Sequence, residues 1–160
     1  MSKKHLTTYL NDHLSGSVAA IELLDHLAAD APEIRPSLLQ LRSDIDADKK
    51  ELEKLMDRLD IDQSILRKAT AWVGEQVAET KLAMDDQTSG FLRRLERLEI
   101  LSLGIEGKLS LWRALEAASK QDANLRKLDY EGLARRAQDQ RDRVEELRLD
   151  AAKLALAQVA

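Results

Sequence analysis

Two carboxylates interrupt leucine-rich runs in this 160-residue chain. Asp48 stands in LLQLRSDIDADKKELEKL and Glu106 in LSLGIEGKLSLW. A carboxylate among leucines at helical spacing can ligate a metal, pair with a cation, or form the polar edge of a helix. The three histidines, His5, His13 and His26, all fall in the first helical segment, and cysteine is absent. Disulfides, a thiol nucleophile and a thiolate metal site are therefore excluded. His5 and His13 would stand about 12 Å apart along a helix, and Glu99 and Glu106 about 10 Å, too far to grip one ion. Glu22 and His26, four residues apart beside the apolar stripe, read as an exposed helix pair.

Other reaction classes lack their anchors. There is no glycine-rich phosphate loop, no His-Glu-x-x-His zinc motif and no Gly-x-Ser-x-Gly elbow. A net charge of -4 and a pI near 5.5 argue against nucleic-acid binding, which calls for a basic excess. The basic stretches RRLER (93–97) and LARRAQDQRDR (133–143) carry interspersed carboxylates and read as solvated faces. No run of 18 apolar residues is present, and no apolar run or cleavage site follows the basic start MSKKHLTTYLNDHL. The expectation is a cytoplasmic protein with no membrane association.

The elements that must position Asp48 and Glu106 follow from periodicity. With aromatics at only 3%, the core must be built from Leu, Ile and Ala. Apolar residues at 3- and 4-residue steps predict helices over about 3–29, 36–59, 64–84, 90–119 and 129–157, in one domain spanning 1–160. The first break, DAPEIRP, holds both prolines of the chain, and Pro36 suits the first turn of the second helix. DIDQS and DDQTSG end the next two segments, and Asp129 is placed to cap the last helix. In the second helix Leu38, Leu41, Ile45, Asp48, Leu52, Leu55 and Leu59 form one stripe, with Asp48 in the middle.

LSLGIEGKLSLW has a rival reading, because Leu101, Leu103 and Ile105 alternate with polar residues, as do Leu109 and Leu111. A lone hairpin with no other strand to pair with is marginal, and strong helix formers flank it, so helix is the better reading. Gly104 and Gly107 each cost about 1 kcal/mol in a helix interior. They suggest close packing against a neighbour such as Trp72.

Two antiparallel helix pairs joined by a long connection with its own short helix predict an all-α four-helix bundle. In helix number, length and order the chain resembles the ferritin-like superfamily. That resemblance implies inward carboxylates on the four core helices and Glu-x-x-His on two of them. The sequence contains no Glu-x-x-His, and only the first helix carries histidine. The oxidative di-iron chemistry of the family is therefore expected to be missing, with no cofactor and no resident metal.

Antiparallel pairing about a turn near residue 33 brings Asp48 level with Ser17, with His13 one turn away. A second turn near 124 brings Glu106 level with about 142–144, where Gln140 and Arg141 lie within a turn, close to the inner stripe of the last helix. The sequence thus predicts a polar layer of His13, Ser17, Asp48, Ser102, Glu106 and Arg141 at mid-bundle. With Arg141 at hand to neutralise carboxylates, a network fixing helix register is favoured over a ligand site. The functional expectation is a non-catalytic structural or interaction module, with a protein partner or a homodimer formed through residues 91–115. A divergent metal-dependent oxidase holding its ion on Asp48 and Glu106 is one alternative. A small-ligand carrier with a pocket between helices is the other.

Overall fold

A computed structural model describes residues 3–63 and 90–157. Among them are four long helices and no strand: α1 (Lys3–Asp30), α2 (Arg35–Arg58), α3 (Gly90–Ser119) and α4 (Tyr130–Leu156). The stretch 101–112 is helical throughout, which removes the hairpin. The expected helix over 64–84, Trp72 included, lies outside the described residues.

The breaks have local causes. Pro36 sits in the first turn of α2, where its missing N–H costs nothing. At the other end of α2, Asp60 takes φ 51°, the left-handed conformation that turns a helix off. The amide of Ile61 then donates to the carbonyl of Met56 (3.0 Å) and that of Asp60 to Asp57 (3.1 Å). This is the Schellman closure with an aspartate where glycine is usual. Between α3 and α4 a short 3-10 turn (Ala123–Leu125) is capped by Asp122, whose side chain accepts from the Asn124 amide. The Tyr130 hydroxyl donates to the Leu125 carbonyl (2.6 Å) and pins that turn to α4. Asp129 caps α4 by accepting from the Gly132 amide (2.9 Å).

Ion pairs between helices give the directions. Arg42 meets Asp25 across α2 and α1, and Arg143 meets Asp44 across α4 and α2. Arg97, itself buried, meets Asp30 at the start of α3, and Arg94 meets Glu33 beside it. The end of α1 therefore lies by the start of α3, so these two helices are antiparallel. The bundle runs up, down, down, up, with α1 and α4 on one diagonal and α2 and α3 on the other. The closest association is between α3 and α4. Because α2 and α3 are parallel, the connection between them joins opposite ends of the bundle. At the rise of an α-helix those ends are about 36 Å apart for the 24 residues of α2.

One continuous core fills the bundle. Leu10, Leu14 and Leu24 of α1 meet Leu41, Ile45 and Leu52 of α2, Leu98, Leu101, Ile105 and Trp112 of α3, and Ala137 and Val144 of α4. Small residues on α4 let it approach α3 closely, consistent with the extent of their contact. α3 is apolar over a wide arc, and its inner side is buried while Ile100 and Leu103 on its outer side are 60% and 73% exposed.

Candidate functional site

Among the described residues five buried positions carry polar side chains, Asn11, Asp48, Arg97, Lys108 and Gln140, and three of them, Asp48, Lys108 and Gln140, converge. Asp48 follows Ile45 by three residues and precedes Leu52 by four, so the helix aims it inward. Lys108 has the same spacing on α3, between Ile105 and Trp112, and Gln140 on α4, between Ala137 and Val144. Asp48 is 1% exposed and lies where these stripes meet. The Lys108 ammonium donates to Asp48 Oδ2 (2.6 Å), and the Gln140 amide donates to the same oxygen (2.8 Å). Lys108 also donates to the Gln140 Oε1, which closes a three-membered knot. Arg136, one turn before Gln140 and reaching in from the surface, places a guanidinium nitrogen 2.9 Å from Asp48 Oδ1. The direction of approach is off that of a hydrogen bond, so this contact is one of charge alone.

Burial pushes the Lys108 ammonium below the ordinary lysine value, while the charge and hydrogen bond of Asp48 pull it back up. Each charge is costly without the other. The bonding also crosses the bundle: Lys108 reaches over the α2–α3 diagonal, and Gln140 ties both to α4. A single knot thus connects three helices and links the two antiparallel pairs.

The six residues expected to form one layer divide into separate groups. Glu106 pairs with Arg141 at 2.5 Å, but the pair lies toward the surface, with Glu106 41% exposed at the side chain. Its helix position is two residues before Lys108, which turns it away from the core stripe. The cations on Asp48 are Lys108 and Arg136, not Arg141. Ser17 donates to the carbonyl of His13 (3.1 Å), the back-bond of a helical serine, and does not reach Asp48. The His13 ring packs edge-on against Tyr9, and burial holds its imidazole below the ordinary histidine value, opposed by Asp12. Ser102 is half-buried on α3 and makes no hydrogen bond to the knot.

His13 and Ser17 belong instead to a cavity of about 220 Å³ between α1 and α3, with Gly16, Gly104, Gly107 and Lys108 in its wall. A Cβ on Gly16, Gly104 or Gly107 would meet nothing within 4 Å among the described residues. The neighbour expected to pack on Gly104 and Gly107, Trp72, lies outside the described residues, and both glycines lie off the core stripe of α3.

The donor set decides what the buried site can do. Among the described residues no three carboxylates or histidines come together to hold a metal ion. Around Asp48 stand an ammonium and a guanidinium, which repel a cation, and an amide whose nitrogen donates to Asp48 and whose oxygen is taken by Lys108. Glu106 is held by Arg141 on another side of α3, apart from the partners of Asp48. The sequence did carry the signal for Lys108 and Gln140. Both fill 3-and-4 slots in apolar stripes, where a lysine or glutamine needs a buried partner. No helix of the described residues is long and apolar enough to cross a membrane. No protein-family model, curated protein or solved structure matches this chain.

Proposed function

We propose that this chain is a non-catalytic helical bundle of ferritin-like type, working in the cytoplasm as a structural or protein-interaction module. The observation that carries the reading is the closure of Asp48 by Lys108, Arg136 and Gln140. A carboxylate neutralised by its own chain has no need of a metal, and removing it from that setting is costly. The parallel α2 and α3, joined end to opposite end, support the ferritin-like reading, since that superfamily has one such crossover. The exposed Ile100 and Leu103 on α3 support a protein partner.

The test is metal content per chain by elemental mass spectrometry, after purification without chelator and anaerobic exposure to Fe(II), Mn(II) or Zn(II). Native protein and Asp48→Asn should both come out without stoichiometric metal. One or two ions held by the native chain and lost in the variant would overturn the reading in favour of a divergent metal-dependent oxidase using Asp48 and Glu106.

The cavity walled by His13, Ser17 and Lys108 favours a second reading, a small-ligand carrier. Native mass spectrometry discriminates the two. A discrete co-purified mass that disappears in Gly16→Leu, which fills the cavity, belongs to the carrier.

A further inference from the structure

The outer side of α3 has an order that its inner side lacks. Leu92, Glu96, Ile100, Leu103, Gly107, Ser110, Ala114 and Ala117 follow one another at steps of four and three, so they share a face. All but the half-buried Gly107 are solvent-exposed, and a Cβ on Gly107 would meet none of the described residues within 4 Å. Side-chain size falls along this face: three large apolar residues and a glutamate occupy the first half, and glycine, serine and two alanines the second. A parallel copy would set bulk on bulk and leave the small half hollow. An antiparallel copy sets each large side chain over a small one.

We propose that α3 pairs with α3 of a second copy of this chain, antiparallel, crossing at the level of Ile105. The inference rests on the non-catalytic reading above and names the partner of its interaction face. In this register Leu103 faces Gly107 of the second copy and Ile100 faces its Ser110. Glu96 falls among Ser110, Arg113, Ala114 and Ala117 of the second copy, a four-residue hole of the kind that coiled coils use.

The charges point the same way. Glu99 and Glu106 are engaged within the chain by Arg148 and Arg141. Glu96 and Arg113 form no ion pair among the described residues, and both are exposed. Antiparallel pairing brings Glu96 of each copy to Arg113 of the other, twice over by the two-fold symmetry. The stripe from Leu92 to Ala117 is about 38 Å long, enough for a continuous two-helix seam.

Sedimentation velocity of the full chain over a wide concentration range tests the pairing. A monomer–dimer equilibrium is expected. Leu103→Glu should weaken it about tenfold or more, the scale of a central interface residue. Gly107→Leu should do the same, although it leaves the single chain helical because a Cβ there meets none of the described residues within 4 Å. Glu96→Arg or Arg113→Glu alone should weaken the dimer, and the two together should restore it.

The chain has no cysteine, so Ile100→Cys with Ser110→Cys reports on the register directly. Those positions are about 15 Å apart on one helix, so a disulfide between them must join two copies. A covalent dimer should form on oxidation from the double variant and not from either single one. Sedimentation as a monomer throughout overturns the proposal, as do failure of the charge exchange to restore the dimer and cross-linking of this face to residues 64–89 of the same chain. A monomer without metal refutes the self-pairing alone, whereas stoichiometric metal refutes the non-catalytic reading beneath it.

Discussion

Asp48 and Glu106 make similar ion pairs by distance, at 2.6 Å with Lys108 and 2.5 Å with Arg141, yet they have little else in common. Asp48 is buried in the core, and its pair is tied by Gln140 into a knot linking three helices. Glu106 is part of a surface pair between α3 and α4, with solvent on both partners. The strength of an ion pair depends on what surrounds it as much as on its length. Water screens the outer pair and would replace either partner if it were lost. In the knot the group left behind stays buried, with Arg136 beside Asp48 the one other charge in contact among the described residues, and so keeps much of its desolvation cost.

The largest effect should come from Asp48→Asn, which leaves the Lys108 ammonium buried without its counter-charge. A loss of about 3–5 kcal/mol in urea unfolding is expected, little changed by added salt. A smaller loss that salt erases would place Asp48 in the same class as Glu106. Replacing the whole knot by Asp48→Leu, Lys108→Met and Gln140→Leu should recover most of that stability, because an apolar core of similar volume carries no desolvation cost. If the triple variant is as weak as Asp48→Asn, the damage lies in packing rather than charge.

Glu106→Gln should cost no more than about 1 kcal/mol, and its effect should shrink further in high salt. The smallest effect belongs to His13. Burial depresses its folded-state value, so the unfolded chain takes up a proton first as pH falls. Its contribution is complete above the ordinary histidine value of about 6.5 and is lost as pH drops toward the folded-state value. The urea midpoint should therefore decline over that window. In His13→Gln it should decline less, even though Asp12 and Lys108 in the same cavity wall are unchanged.

The helical class was legible because leucines recur at 3- and 4-residue steps and because Pro32, Pro36 and Asp129 punctuate them. The position of Asp48 within its stripe was legible for the same reason. Its partners were not, although Lys108 and Gln140 occupy equivalent slots. Turn positions set pairing levels between adjacent helices, whereas Lys108 meets Asp48 across the diagonal. Turn geometry fixes levels within each antiparallel pair and is silent about how the two pairs face each other. Glu106 drew attention as a charge among leucines, but only the rotation of α3 decides that residue 108 points inward and residue 106 does not. The glycines show the same limit, since a cost to helix propensity does not say which side of α3 a residue occupies, and a Cβ on Gly104 or Gly107 would meet none of the described residues.

The up-down-down-up order also fixes how the bundle would carry load. Lys3 at the start of α1 lies by Asp60 at one end, while α4 finishes at the other, beyond the level where Arg148 meets Glu99. A pull on these two ends is directed along the helix axes, so the antiparallel pairs must slide past one another in shear. No helix can peel away turn by turn. The knot of Asp48, Lys108 and Gln140 lies across that slip plane, and it would behave as a latch under tension.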